Sequence, residues 1–448
     1  MTTPNLPHPI DPSPAAPGHW TLRTDRSLVR ASGGSERFVL AEFVAPTPTR
    51  DPAHRRPSVN LAFVLDRSGS MAGRGKLELA KQGVLEALDR LEPTDRFCVV
   101  TYDEVIDVVV ASTAASAEAR RLAVEALAEV GPRGSTNLAE GWLRGAEQVA
   151  SHLSETGVNR VLLLTDGLAN VGLTDVAQLA AHAAQLRKRG VATSTIGVGE
   201  DFDEVLLQQM ADAGGGHFYF AGSLVEIRDH LTSEVGEALD VSVRDATLTV
   251  TASKGVSVSG LTPHPCEGHG ARTVFQLGDL VSGQLARVVV RLRFPSGALG
   301  AEAGLLFALS DADGVLSASG GFEVTGIAWH FASDADSHTQ PRDRVVDRAV
   351  AELFASSARQ EAVGLNRSGD WRGAERALHS VSDRIAGYAG SDPELRALVH
   401  ELSFVEAPKM AAPMPEMSRK SMYFASTNLS RGRSSSGKSR KSQKSSGA

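Results

Sequence analysis

Hydrophobic spacing divides the chain into distinct regimes. From His19 to Val29 and from Phe38 to Val44 apolar and polar residues alternate around the turn-rich Ala31-Ser32-Gly33-Gly34-Ser35, which predicts two antiparallel strands. A lone hairpin is marginal in water, so this one must join a sheet formed elsewhere in the chain. From Val59 the pattern changes to apolar runs separated by helical stretches. Leu61–Leu65, Asn159–Thr165 and Val191–Val198 have the continuity of strands buried on both faces. Asp95–Tyr102 and Val105–Val110 read as a strand pair, and His217–Phe220 as a short last strand. Helical periodicity fills the gaps at Lys76–Leu91, Ala117–Val130, Leu138–Leu153, Asp175–Lys188, Asp203–Ala211 and Leu224–Leu239. Strand and helix alternating at these lengths predict a doubly wound, mostly parallel α/β sheet over residues 59–239.

Past Asp240 short alternating strands return: Val241–Ala252, Ala271–Leu277, Leu285–Phe294, Gly304–Ser310 and Ser317–Thr325, punctuated by Gly, Pro and Asp. They predict a β-sandwich over residues 240–330. The hairpin of residues 19–50 is expected to complete it, which makes the α/β domain an insertion. Residues 341–404 turn helical: Val345, Val346, Ala349, Leu353 and Phe354 share one face, and Ala374, Ala377, Leu378, Val381 and Ile385 another. Residues 1–18, with six prolines, read as a disordered leader, and residues 407–448 as a disordered, basic, serine-rich tail.

The chemistry gathers where the first buried strand stops. Leu61–Leu65 runs into Asp66-Arg67-Ser68-Gly69-Ser70, and open parallel sheets bind ligands outside the carboxyl ends of their strands. One carboxylate and two hydroxyls offer only oxygen, the donor that hard cations take. Two further strand or helix ends carry similar groups: Thr136 in Gly134-Ser135-Thr136-Asn137 and Asp166 in Thr165-Asp166-Gly167. Each has an ordinary structural role when taken alone. Asp66, Ser68 and Ser70 suit a helix-capping turn, Thr136 an N-cap, and Asp166 a turn before glycine.

Taken together, Asp66, Ser68, Ser70, Thr136 and Asp166 give D-x-S-x-S, then a distant Thr, then a distant Asp. With this pattern, residues 59–237 resemble a von Willebrand factor type A domain with a complete metal-ion-dependent adhesion site. The resemblance implies a Rossmann-like fold. It also implies magnesium as the cofactor, with manganese or calcium as alternatives, bound through the hydroxyls of Ser68, Ser70 and Thr136 and through water by Asp66 and Asp166. An Asp or Glu carboxylate from a protein partner would complete the shell. The flanking sandwich and helices make the whole similar to bacterial proteins of this kind, and distantly to inter-alpha-trypsin inhibitor heavy chains.

Enzyme motifs fit poorly. SMAGRGK at residues 70–76 lacks the first glycine of a phosphate-binding loop and has Leu77 after Lys76, and Arg67-Ser68-Gly69 lacks the first glycine of a nucleophile elbow. The expectation is a non-enzymatic, metal-dependent protein-binding module. An accessory subunit of an ATPase or modifying complex is the alternative, and a metal-dependent hydrolase a more distant one.

Composition adds limits. The 448 residues carry a net charge of -7, but the last thirty hold eight Lys or Arg and no acid, so a basic tail follows an acidic body. That tail can attract nucleic acid only weakly, because no aromatic residue lies among the basic ones from Arg431 to Lys444 to stack on a base. Two cysteines, Cys98 and Cys266, make no disulfide framework. The amino terminus lacks the basic and apolar segments of a signal peptide, and no apolar run is long enough to cross a bilayer, so the expected location is cytoplasmic.

Overall fold

A computed structural model describes residues 20–47 and 56–441. The first segment forms β1 (Trp20–Thr24), β2 (Leu28–Arg30) and β3 (Ser35–Val44). β1 and β3 pair antiparallel, as the alternation predicts, but His19–Val29 is not one strand. It breaks at Asp25, whose buried carboxylate accepts the Phe38 N–H at 2.8 Å, and β2 leaves for a different sheet. A carboxylate bonded to the neighbouring strand's backbone stops the ladder there and turns the chain out. The leader falls outside the described residues.

The α/β region follows as β4 (Val59–Asp66), α1 (Lys76–Leu88), β5 (Arg96–Tyr102), β6 (Ile106–Ala114), α2 (Ala117–Ala128), α3 (Leu138–Ala150), β7 (Val158–Thr165), α4 (Val176–Lys188), β8 (Ala192–Val198), α5 (Glu204–Gly214), β9 (Gly215–Ala221) and α6 (Leu224–Leu239). The sheet order is β6-β5-β4-β7-β8-β9, parallel except for the antiparallel β5–β6 pair. Every residue of β4 and β7 is buried, as central strands covered on both faces require. α3 seats close to them through glycines one helical turn apart. A Cβ on Gly145 would meet Val64 at 2.3 Å, and one on Gly141 would meet Tyr102 at 2.5 Å.

The chain then forms β10 (Val241–Ala252), β11 (Ser257–Gly260), β12 (Cys266–His269), β13 (Arg272–Val281), β14 (Leu285–Phe294), β15 (Glu302–Ser310), the short α7 (Val315–Ser319) and β16 (Thr325–Ala332). These make two sheets, β1-β3-β14-β11 and β12-β13-β10-β15-β16-β2. β3 pairs with β14 along its full length, from Ser35 opposite Phe294 to Val44 opposite Leu285, so the α/β domain is inserted within the sandwich. Its entry and exit meet at one turn: Ala45 N–H donates to Gln284 O at 2.8 Å and Ser282 N–H to Asp240 O at 2.9 Å. The expected strand Ser317–Thr325 is absent. Asp311 accepts the N–H groups of Val315 and Leu316, starting a turn of helix where apolar alternation alone suggested extension.

Alternation along β3 serves two cores. Val39, Ala41 and Phe43 face the sandwich interior with Val288, Val290, Phe307 and Trp329, while Phe38 and Leu40 face outward. Against that outer face lies α9 (Arg344–Arg367), preceded by the short α8 (Asp334–Thr339), and α9 buries Val346, Val350, Leu353 and Phe354 there. α10 (Trp371–Ala389) and α11 (Pro393–His400) pack behind it around Ala355, Leu378, Ile385 and Leu395.

The largest correction concerns residues 407–441, which composition assigned to a structureless tail. After α12 (Ala407–Met410) the chain forms a fifteen-residue helix, α13 (Glu416–Ser430), and then an ordered arm. Phe424 of α13 packs edge-on to Phe218 and Phe220 of β9. Lys420 is buried, donating to Glu204 at 2.8 Å and to Phe202 O at 2.6 Å. In the arm, Arg433 is buried as well. Its guanidinium donates to both carboxylate oxygens of Glu237 at 2.9 and 2.8 Å, to Tyr219 Oη at 3.2 Å and to Gly437 O at 2.7 Å. Charges that composition reads as solvated are pinned to acids on α5 and α6. Residues 442–448 lie outside the described residues.

Candidate functional site

The carboxyl ends of β4 and β7 are neighbours in the sheet, so Asp66 and Asp166, one at each end, come together. Both carboxylates are fully buried. Asp66 closes β4 with a tight turn, its Oδ1 accepting the Ser68 N–H at 2.8 Å and its Oδ2 accepting Thr165 Oγ1–H at 2.6 Å. Ser68 Oγ lies 3.1 Å from Ser70 Oγ, and Ser70 Oγ donates to Asp166 Oδ1 at 2.6 Å.

Thr136 arrives from the loop before α3. Backbone bonds stitch that loop to the others: Gly69 N–H to Gly134 O at 3.1 Å, Arg133 N–H to Arg67 O at 2.8 Å, and Asn170 N–H to Thr136 O at 3.3 Å. Asn170 returns the contact, its Oδ1 accepting the Thr136 N–H at 3.1 Å. Both Thr136 Oγ1 and Ser70 Oγ overlie Gly167, where an added Cβ would sit 3.5 and 3.7 Å from them. The structure thus brings all five expected side chains to one rim, with a bare glycine beneath two of the hydroxyls.

Burial pushes the Asp66 carboxyl up to about 6; bonds from Ser68 and Thr165 oppose the rise, and the charge of Asp166 adds to it. Two buried carboxylates face three hydroxyls and no sulfur or imidazole. Such a donor set suits a hard, oxygen-seeking cation, which would relieve the repulsion between the acids.

Two residues at the rim carry no motif signal. Thr165 orients Asp66, and only its place beside Asp166 could have suggested it. Lys76, the first residue of α1, donates from Nζ to Asp166 Oδ2 at 2.6 Å. Asp103 is buried and holds the loops through Arg67 Nε at 3.1 Å and through Arg133, whose guanidinium is half exposed. Asp203 caps α5 by accepting the Val205 and Leu206 N–H groups. His217 belongs to the Glu234–Glu237–Arg433 cluster.

Comparisons with known proteins agree with this fold. Residues 60–232 match the von Willebrand factor type A domain family. The uncharacterized protein YfbK of Escherichia coli (strain K12) is 31% identical over 244 residues, which cover 51% of this chain and 42% of that protein. Human inter-alpha-trypsin inhibitor heavy chain H4 is 29% identical over 163 residues, 35% of this chain and 17% of its own. The chain therefore spans less than half the length of these relatives. Among solved structures, a von Willebrand factor type A protein from Catenulispora acidiphila superposes with a TM-score of 0.70 at 20% identity, covering 93% of this chain and 98% of its own. The ArnB paralog VWA2 from Sulfolobus acidocaldarius gives 0.57 at 16% identity over the same shares. These two likenesses extend beyond the α/β region to the sandwich and helices, and they show the fold. From residue 60 to residue 232, this chain matches the von Willebrand factor type A domain family.

Proposed function

We propose that the rim is a divalent-cation-dependent docking site for a protein partner. Ser68, Ser70 and Thr136 hold the cation through their hydroxyls, and Asp66 and Asp166 hold it through water. When bound, the ion supplies an electrophilic point that an Asp or Glu of the partner can occupy. Magnesium suits this role because it prefers six oxygens, dehydrates reluctantly and keeps several waters, one of which can give way. Few charged groups would touch the ion directly, so it stays attractive to an incoming carboxylate.

The observation that carries this reading is the convergence of three hydroxyls and two buried carboxylates, from three separate loops, at the carboxyl ends of the central strands. A structural capping role needs no such meeting. The chain's own residues do the rest: Thr165 fixes the orientation of Asp66, and the Asp103–Arg67–Arg133 pairs hold the loops in register.

Manganese, a spectroscopic stand-in for magnesium, tests the proposal. The full chain should bind one equivalent by calorimetry and electron paramagnetic resonance. Asp66→Ala should abolish that binding with an unchanged circular dichroism spectrum. A pull-down from lysate should lose its specific partner in EDTA. A partner that stays bound in excess chelator, or one equivalent of manganese bound equally by Asp66→Ala, would refute the reading.

A further inference from the structure

We propose that Lys76 is a built-in counter-cation of the docking site, which holds divalent affinity down and leaves the bound ion more electropositive toward its ligand. This rests on the reading of Asp66, Ser68, Ser70, Thr136 and Asp166 as the cation's donors. The two carboxylates are neutralised differently. Among the described residues Asp66 is met by dipoles, the Ser68 N–H and the Thr165 hydroxyl. Asp166 divides its oxygens: Oδ1 takes the Ser70 hydroxyl on the side of the hydroxyl cluster, and Oδ2 takes the Lys76 ammonium at 2.6 Å. The ammonium therefore lies against the donor set without displacing the hydroxyls.

Local structure is shaped to deliver it there. The turn after Ser70 ends with Arg74 and Gly75 in the left-handed region, at φ 55° and 75°, and this reversal starts α1 with Lys76 as its first residue. A non-glycine residue in that region is uncommon. The lysine stem runs past Gly199, itself at φ 75°, where an added Cβ would lie 3.5 Å from Nζ and 3.8 Å from Cε. With 16% of its side chain exposed against none of Asp166, Lys76 forms a held, largely buried ion pair rather than a solvated one.

The charge count gives the consequence. Two carboxylates and one ammonium leave the donor set at one negative charge instead of two. A divalent ion then binds less tightly, and the loaded site carries one net positive charge instead of none. The site is tuned to capture an acidic ligand rather than to retain metal at trace concentration.

The test is manganese titration of the full chain by calorimetry, with Lys76→Gln, which keeps a donor for Asp166 without its charge, Lys76→Met, and Lys76→Arg, which keeps the charge. Lys76→Gln and Lys76→Met should each lower the manganese dissociation constant by about tenfold, the effect of removing one charge a few ångström from a divalent ion in a half-screened setting. Lys76→Arg should stay within about twofold of the parent on the same electrostatic argument. Melting provides a second readout: the neutral variants should melt lower than the parent in EDTA and gain more from added manganese. Equal or weaker manganese binding by both neutral variants, with the parent binding normally, overturns the role of Lys76 and leaves the docking site standing. Absence of binding in the parent and in every variant overturns both.

Discussion

Replacing Arg433 by methionine should unlatch the carboxyl-terminal arm. In the native protein this guanidinium donates to both oxygens of Glu237, to Tyr219 and to Gly437 O, and the side chains of Arg433 and Glu237 are 4% and 13% exposed. Removing one partner of a buried ion pair leaves the other desolvated and uncompensated, at a cost of about 3–5 kcal/mol. The arm can respond by detaching and letting water reach Glu237. That escape caps the loss near the lower end of the range, about 3 kcal/mol, or roughly a hundredfold in the docking equilibrium. Hydrogen exchange of the segment 431–441 reads this directly, because the Ser439 N–H is bonded to Glu237 Oε1 at 3.2 Å and should lose protection by about that factor. The double variant Arg433→Met with Glu237→Gln should fall well short of the sum of the single losses, since no carboxylate then remains unpaired. Unchanged exchange in Arg433→Met, or full additivity in the double variant, would refute the reasoning.

The same latch should open in mild acid. His217 Nδ1 lies 3.1 Å from Glu234 and its Nε2 2.9 Å from Arg433, a geometry that suits a neutral ring donating to the acid and accepting from the arginine. Burial and the Arg433 charge hold its pKa below 6.5 against the pull of Glu234 and Glu237. The unfolded ring therefore binds the proton more readily, so stability is lost as pH falls from about 6.5 toward the lowered value, and arm exchange, corrected for intrinsic rates, should rise over that window and rise less in His217→Gln. Gly145→Ala should destabilise the protein by about 1–3 kcal/mol in denaturant melts, because its methyl would strike Val64 across the α3–sheet contact. Native thiol titration should find one reactive cysteine: Cys266 is exposed, whereas Cys98 is buried and burial pushes its thiol up to about 12.

Legibility in the sequence followed the range of the interaction. β4 and β7 were readable because their buried middles, Leu61–Leu65 and Val161–Leu164, are unbroken apolar runs, and β14 because alternation marks a strand with two different faces. The five rim residues were readable because they end such strands or open the helix beside them. Lys76 was not, since nothing in SMAGRGK says that the turn reverses and aims the ammonium at a carboxylate ninety positions away. Arg433 and Lys420 were read as solvated for the same reason. A buried cation differs from an exposed one only through acids supplied by α5 and α6, and neither periodicity nor composition records that pairing. The break at Asp25 likewise depends on the backbone of a strand that comes later.

The meeting of Ala45 and Asp240 at the Ser282–Gln284 turn bears on how the chain matures. During synthesis β3 emerges long before β14, and its apolar residues must wait without a mate while the inserted domain is made. Once that domain has collapsed, its two ends stand side by side. The great length of polypeptide between the mates then behaves as a short tether, sparing most of the entropy of closing a long loop. Weakening the inserted domain should therefore leave β3 stranded on the nascent chain, a hazard for aggregation that no defect in the sandwich itself would reveal.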